Sequence, residues 1–418
     1  MHGFCRQPAA VEKIEKDGIM QMRQGIASAG TPAATMTSGT IGLFAFCCGA
    51  IVANLYYAQP IIGLIAPDIH MSPFLASLIV SLTQIGYALG LFFLVPLGDL
   101  VENRRLMMLT TSVSILSLAA AAMTSSANIF LVLSLLIGFS SVSVQIMIPL
   151  AAHLAPEASR GRVVGAVMSG LVLGILLARP LSSFIAGHLS WRAVFGIAAV
   201  LMAGFTMLFA KMPKREPDHK ATYGELLRSL GTLMLRFPAL RQRAFFQACM
   251  FATFSLFWTA APLELVRVHG FSQSQIAIFC LVGAIGAIAA PISGRLADAG
   301  HTQVATLAAL LGGVLSYLPG LVHPQWGFIG LAFAAIVLDF CVQMNMVLGQ
   351  REIYSLDPAS RSRLNALYMT SIFIGGAIGS SVASPLYSHG GWQWIALAGS
   401  LFPLLALVRF VAGSAVKK

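Results

Sequence analysis

The chain has 418 residues, of which 57% are hydrophobic and only 10% charged, with a mean hydropathy of +0.82 and a formal net charge of +11. No soluble fold needs that much apolar surface, so a water-soluble enzyme is excluded as a class. The basic excess must then be read by where it falls along the chain, because in a membrane protein it need not mean nucleic acid.

Residues 1–40 contain mixed charges, Gly and Pro without an early apolar core, which predicts a disordered cytoplasmic tail and no cleaved signal peptide. Met20, Met22 and Met36 are alternative starts. A spanning helix takes roughly 20 mostly apolar residues, and such runs recur from Ile41 onward. They predict spans near 41–65, 73–97, 106–124, 128–152, 163–187, 192–210, 244–263, 274–293, 302–320, 326–349, 365–387 and 392–412. The runs are about twice as long as a tilted membrane strand and lack its two-residue alternation. The expected fold is an all-α membrane protein of twelve transmembrane helices in two pseudo-symmetric six-helix bundles. Its domains are a tail (1–40), an N-terminal bundle (41–210), a linker (211–243), a C-terminal bundle (244–412) and a short tail (413–418).

With these spans, 23 of the 26 Lys and Arg residues fall on one side. Only Arg192 and Arg267 fall opposite, and Arg179 lies within a span. That asymmetry predicts both termini in the cytoplasm. The basic excess is therefore topological, its expected partner is anionic lipid, and nucleic acid is not expected. Cys47, Cys48, Cys249, Cys280 and Cys341 lie in predicted spans and Cys5 in the tail, with no disulfide framework and no metal spacing. No cofactor is expected.

The chain repeats itself at about 200 residues. Pro96-Leu-Gly-Asp99 recurs as Gly294-Arg-Leu-Ala-Asp298, and Pro156, Arg160 and Arg162 are echoed by Pro358, Arg361 and Arg363. Ser190-Trp191 before span six is echoed by Gly391-Trp392 before span twelve, and Val144-Gln145 by Val342-Gln343. Duplicated halves related by an axis along the membrane normal create a site between them that rocking can expose to either side. One chain supplies both halves, so it is expected to work as a monomer. The linker holds Leu226, Leu227, Leu230, Leu233, Phe237 and Leu240 at helical spacing with Arg228, Arg236, Arg241 and Arg243 between them. That pattern predicts an amphipathic helix on the cytoplasmic surface.

Gly98-Asp99 through Arg104-Arg105, and Gly294-Arg-Leu-Ala-Asp298, resemble the turn signatures of the major facilitator superfamily. The second copy matches almost fully, whereas the first has Glu102 where a Gly is usual. Within that family the chain looks most similar to twelve-span bacterial exporters of the drug:proton antiporter type, through Gly165, Gly174 and Pro180 in span five. Two departures matter. Ala178-Arg179 stands where the antiporter motif has Gly-Pro, and Ser134 stands where the family places an Arg in span four.

The resemblance implies a gating role for Asp99, Arg104, Arg105 and Asp298. By the repeat, Asp99 is placed against span eleven near Arg361 and Asp298 against span five near Arg160. A carboxylate at a helix N-terminus gains about 0.3–1 kcal/mol from free N–H groups and the dipole, which predicts a latch that favours the outward-facing state. Solvated loop acids are the alternative. Small-residue pairs recur in span two (Gly86, Gly90), span five (Gly170, Gly174), span eight (Gly283, Ala287; Gly286, Ala290) and span eleven (Gly375, Gly379). These are the helices that meet between the halves in the superfamily, so the pairs are expected to form its sliding contact, with static packing as the alternative.

Arg179 and Asp339 are ionisable groups deep within spans, costly unless they face water or a partner. Both are candidates for the solute or coupling site. Their predicted depths differ by about 8 Å at 1.5 Å per residue, which leaves direct pairing open. Gln343 stands one helical turn beyond Asp339 on the same face. Asp339 is the candidate proton carrier, the alternative being a structural acid bonded to a neighbouring helix. Asn54, Tyr56, Tyr57 and Gln59 in span one, Ser81, Gln84 and Tyr87 in span two, and Gln145 in span four are candidate solute contacts beside Phe residues and Trp258. Interhelical hydrogen bonding would equally explain them.

No Gly-x-x-x-x-Gly-Lys loop is present, so ATP is not the direct driver. Neither a His-Glu-x-x-His motif nor a nucleophile elbow is present, so there is no catalytic residue to assign and no metal site. The sequence predicts a secondary transporter that exports a small amphipathic solute or drug, coupled to protons, by alternating access. An uptake permease for a metabolite and a non-transporting sensor or channel are the alternatives.

Overall fold

The structure is a computed structural model and describes residues 37–98, 100–212, 222–319, 327–357 and 360–415. Span one consists of α1 (Ser38–Ala53), a 3-10 turn (Gln59–Ile61) and α2 (Ile62–Asp68). Span two is α3 (Pro73–Leu97), span three α4 (Asn103–Met123), and span four α5 (Ala127–Ser140) continued by α6 (Ser143–Leu154). Spans five and six are α7 (Arg160–His188) and α8 (Trp191–Phe209). Then α9 (Tyr223–Arg236) precedes span seven, α10 (Pro238–Arg267). Span eight joins α11 (Gln273–Val282), a 3-10 stretch (Gly283–Ile288) and α12 (Ala289–Asp298). Spans nine and ten are α13 (Thr302–Leu315) and α14 (Gly327–Leu356). Span eleven begins as α15 (Arg361–Ser381), and α16 (Ala383–Ala415) is broken at Gly390 and Gly391, where span eleven gives way to span twelve. Gly391 has φ 61°, a left-handed conformation that a Cβ would strain.

The chain is thus an all-α membrane protein of two six-helix bundles, and no strand occurs among the described residues. Among the described residues, nine helices are long and apolar enough to cross a membrane by length and composition alone. The other three spans fall short for local reasons. Span one is interrupted before Pro60, which has no N–H to give the helix. Span nine has a regular helix of only 14 residues, and span eleven is diluted by Asn365, glycines and serines. Side-chain caps fix several starts: Ser72 accepts from the Leu75 N–H, Ser190 from that of Ala193, and Ser272 forms a capping box with Gln275.

An even number of crossings brings both described ends, together with Arg104, Arg105, Arg160, Arg351, Arg361 and Arg363, to one face, here termed the basic face. Spans three, six, nine and twelve turn apolar side chains outward, with Leu116, Val200, Val304 and Val408 all more than half exposed, as suits contact with lipid tails. Pro238 ends α9 at Arg236 and starts span seven. Leu240, Arg241 and Arg243, which their spacing assigns to the linker helix, therefore stand on span seven. In α9 itself Leu226, Leu230 and Leu233 are buried while Arg228 and Arg236 are exposed. The helix packs its leucines on protein and bridges the two bundles: Tyr223 Oη donates to the Phe93 carbonyl of span two at 3.0 Å, and Arg363 of span eleven donates to Ser229 Oγ at 3.0 Å.

The small-residue pairs pack differently from their expected place between the halves. Gly170 and Gly174 of span five press on the backbone of Ala45 and Gly49 in span one, and Gly375 and Gly379 of span eleven press on Ala248 and Ala252 in span seven. Gly86 and Gly90 of span two meet Leu135 and Phe139 in span four, and Gly283 and Gly286 of span eight meet Trp258 of span seven and Asp339 of span ten. Every one of these contacts lies inside one bundle. The reason is steric: backbone-to-backbone approach locks two helices together, which suits a rigid bundle and not a surface that must slide.

The side-chain hydrogen bonds that join the bundles directly instead use hydroxyls and side-chain amides, and those of Ser77, Ser81, Gln84 and Ser183 cluster away from the basic face. Ser183 Oγ bonds the Gln273 carbonyl and Oε1, each at 2.8 Å. Ser77 Oγ donates to the Ser381 carbonyl at 3.1 Å, Ser81 and Ser380 hydroxyls meet at 2.8 Å, and Gln84 Nε2 donates to Ser255 Oγ at 2.8 Å.

Candidate functional site

Between the bundles lies a cavity of about 550 Å³. At the basic face its wall includes Gln350, Tyr354, Arg361 and Asn365, and it runs inward past Gln145, Tyr87 and Gln343 to Tyr56, Phe254, Arg179 and Asp339. Beyond that deep end the hydroxyl and amide contacts between the bundles close the path. The molecule is therefore open to the basic face and shut toward the other.

Arg179 is only 4% exposed. Its Nε donates to Gln59 Oε1 at 2.8 Å. Its guanidinium carbon lies 5.0 Å from the Tyr56 ring centre, 4.9 Å from that of Phe254 and 4.7 Å from that of Trp258. Ring faces carry partial negative charge, so three of them compensate a buried cation that would otherwise be costly at this depth. One guanidinium nitrogen, Nη2, is buried without a hydrogen-bond partner, and so is Gln59 Nε2.

Asp339 and Arg179 do not form a direct ion pair. Trp258 stands between them, its ring under the guanidinium and its Nε1–H donated to Asp339 Oδ1 at 2.9 Å. The gap in depth that the span positions imply is thus filled by an indole. Gly283 and Gly286 pack the carboxyl from the other side, since a Cβ on Gly283 would come within 2.5 Å of Asp339 Oδ2. The cluster straddles the bundle boundary, with Gln59, Tyr56 and Arg179 from the first half and Phe254, Trp258 and Asp339 from the second.

The remaining sequence candidates separate into three places. Gln145, whose Nε2 donates to Tyr87 Oη at 3.2 Å, lines the cavity with Tyr87 and Gln343. Gln84 and Ser81 belong to the contact between the bundles. Asn54, Tyr57 and Gln59 are not among the residues that line the cavity: Asn54 Nδ2 points to Met202 Sδ at 3.6 Å inside the first bundle, the Tyr57 carbonyl accepts from Ser182 Oγ, and Gln59 accepts from Arg179. These residues follow the end of α1 at Ala53, and the turn that leads to Pro60 directs each to a different neighbour.

At the basic face, Asp298 pairs with Arg351 of its own bundle and not with Arg160, whose Nε donates to the Ala152 carbonyl at 3.1 Å. Arg104 reaches the Met212 carbonyl at 3.4 Å and Arg105 pairs with Glu102 at 3.2 Å. Asp99 lies outside the described residues. Phe254, Gln350, Tyr354 and Asn365 are lining residues that sequence reasoning did not single out. Phe254 had one signal, its position one helical turn before Trp258 on the same face. Tyr354 and Asn365 are joined only by the fold, Tyr354 Oη donating to Asn365 Oδ1 at 2.8 Å.

Two helical bundles with a largely apolar cavity between them that ends on buried ionisable groups define a membrane transport protein. The family model described as Major Facilitator Superfamily matches residues 41–246 and again 243–417, and the chain belongs to that family. It is 38% identical to a putative uncharacterized transporter of Escherichia coli (strain K12), YgaY, over 90% of this chain and 96% of that protein. It is 32% identical to a probable transporter of Streptomyces coelicolor over 86% of this chain and 84% of that one. Among solved structures it superposes on the nucleoside transporter NupG with a TM-score of 0.69 at 14% identity, covering 89% and 98% of the two chains. For a D-xylose-proton symporter the TM-score is 0.67 at 16% identity, with 88% and 96% covered.

Proposed function

We propose that this transporter exports a small amphipathic solute in exchange for protons, with the basic face and both termini in the cytoplasm of a bacterial inner membrane. The observation that carries the reading is the cavity itself. It is apolar along most of its length, open to the basic face, and ends on Arg179 and Asp339, which Trp258 joins, at the contact between the bundles. A solute loaded from the basic face would thus reach the boundary that must part for release on the other side. The distribution of Lys and Arg supports the orientation. The direction is supported by a relative named as a probable sugar efflux transporter in Pasteurella multocida, 25% identical over 62% of this chain and 63% of that one.

Asp339 is the proton carrier in this reading. Its environment includes a single donated hydrogen bond and a nearby guanidinium, and both depend on contacts across or beside the bundle boundary. Asp99, Arg104, Arg105 and Asp298 act in the opposite, outward-facing state, where the basic face closes and each Asp meets a helix start of the other bundle. The Arg351 partner of Asp298 is what that carboxylate would exchange on closing. Anionic lipid would bind the basic face, and a single chain suffices as the working unit.

The test is purified protein in liposomes with an imposed pH gradient, screened against sugars, organic anions, amino acids and lipophilic cations. Gradient-driven flux of at least one class is expected, and Asp339→Asn should abolish the response to the gradient. Flux that ignores the gradient for every transported solute would sink the antiport reading. Accumulation with the proton flow would turn export into uptake. For the latch, Asp99→Asn should change labelling of cysteines placed at the basic face; unchanged labelling in a transport-active variant removes that role.

A further inference from the structure

We infer that the transported solute carries an anionic head, a carboxylate being the simplest, and that this head docks on Arg179 Nη2 and Gln59 Nε2 at the deep end of the cavity. The inference rests on the reading of the cavity as the solute site and adds the chemical class.

Three observations lead to it. First, the two buried polar atoms left unpartnered on the Arg179–Gln59 pair are both donors. A buried donor without an acceptor is unfavourable, and a charged one more so. Since Gln59 Oε1 sits on Arg179 Nε, the same amide holds its own Nε2 close to the guanidinium, so the two idle donors are neighbours. An anion with two oxygens matches such a pair, and charge-assisted bonds of this kind are the strong ones.

Second, the other functions of Arg179 are already filled. Its faces are covered by Tyr56, Phe254 and Trp258, and its Nε is bonded. What remains is an edge; the Arg179 side chain lines the cavity, and Gln59, bonded to it, is buried outside the lining. Asp339, the one acid among the described lining residues, is occupied differently: Oδ1 accepts from Trp258 and Oδ2 is packed by Gly283. A cation at Asp339 would find Oδ1 already engaged, whereas an anion on the free edge of Arg179 displaces no bond.

Third, the charge of the described lining favours an anion. Arg179 at the deep end and Arg361 at the mouth stand against the single carboxylate of Asp339. A cavity with low-dielectric walls concentrates such a bias and attracts the opposite charge. The stretch between the arginines is walled by Leu171, Ile175, Phe254, Met346 and Phe373, which suits an aromatic or aliphatic body behind the anionic head. The head would then rest against the contact of Arg179 with Phe254 and Trp258, the one that separates when the opposite face opens.

The test compares three probes with one body and three heads on the detergent-purified full chain: 3-phenylpropionate, 3-phenylpropanamide and 3-phenylpropylamine, titrated by calorimetry. The carboxylate is expected to bind about 10- to 100-fold tighter than the amide, with the amine weakest. Arg179→Gln should erase the preference, Arg179→Lys should restore part of it, and Gln59→Glu should weaken the carboxylate by about 10-fold through repulsion. Thermal unfolding of each variant checks that it is folded, and the wild-type ranking needs no variant at all. Equal binding of carboxylate and amide, or a preference that survives Arg179→Gln, overturns the inference. Tightest binding by the amine overturns it by moving the anchor to Asp339. No binding by any probe overturns it together with the cavity reading, whereas carboxylate binding without gradient-driven flux sinks only proton-coupled export.

Discussion

The two halves of the molecule are built alike where they hold together and unlike where they meet the cavity. In the first half, Gly170 and Gly174 of span five press on Ala45 and Gly49 of span one; in the second, Gly375 and Gly379 of span eleven press on Ala248 and Ala252 of span seven. Both seams use the same four-residue spacing in both helices. Carried forward in that register, five positions beyond Gly174 is Arg179, but five beyond Gly379 is Ser384. Six positions beyond Ala252 is Trp258, but six beyond Gly49 is Leu55. Four positions before Gln343 is Asp339, and four before Gln145 is Ser141. Packing that makes a bundle rigid has been kept in duplicate, whereas each member of the Arg–Trp–Asp cluster occurs once. A rocking transporter needs two similar rigid bodies, but its solute and coupling ion need only one asymmetric site between them.

That comparison can be broken most directly at Arg179. Replacing it with Gln removes a buried charge-assisted bond and three ring contacts, an expected loss of about 3 kcal/mol or ~100-fold in transport. Ser384→Ala, in the matching place, should leave transport within about twofold, on the order of a substitution away from any special feature. Comparable losses from the two changes would mean that Arg179 acts through its packing position and not through its chemistry.

A smaller effect is expected at Trp258. Trp258→Phe keeps a ring beneath the guanidinium but removes the hydrogen bond to Asp339, worth about 1.5–3 kcal/mol when the acceptor is charged. Transport should survive with a displaced pH profile, whereas Leu55→Phe should leave that profile unmoved. A normal profile in Trp258→Phe would detach the indole from the carboxyl.

The duplicated seams give a matched pair. Gly174→Ala and Gly379→Ala each drive a methyl into opposing backbone, and each should cost about 1–3 kcal/mol, read as a drop in the melting temperature of the purified protein. Similar drops sharpen the equivalence of the halves. Tolerance of one and not the other would show that only one seam is closely packed in solution.

The smallest effect concerns the far face of the first bundle. Asp68 at the end of span one pairs with Arg192 at the start of span six, and the hydrogen bond from Arg192 holds its pKa below the usual carboxylate value. A depressed folded-state pKa contributes stability above the ordinary value of about 4 and loses it as pH falls through the lower folded value. This pair is solvent-exposed, so Asp68→Asn should shift the melting temperature only slightly near neutral pH, and the shift should shrink in acid. A shift that grew on acidification would contradict the pairing.

Much of the fold was legible in the residues because a membrane imposes its own arithmetic. Apolar runs of spanning length, an excess of Lys and Arg on alternate loops, and turn motifs repeated at about 200 residues are one-dimensional signals. Arg179 and Asp339 were also visible in this way, since an ionisable residue inside a span stands out without any coordinates. The partners were less legible. Asn54, Tyr57 and Gln59 are close neighbours in sequence, yet only Gln59 meets Arg179, because the chain has already left its helix at Ala53 and the turn aims each side chain differently. The glycine pairs announced close approach, but their spacing does not name the helix approached.

The amino-acid sequence by itself therefore determined that this protein crosses a membrane repeatedly as two related halves, since hydrophobic length, charge asymmetry and duplication are properties of the chain in order. Only the tertiary structure decided that the glycine seams lie inside the bundles, that hydroxyls and amides face across the boundary, and that an indole stands between the buried arginine and aspartate. Those outcomes depend on helix rotation and relative depth, which arise when residues hundreds of positions apart compete for the same space.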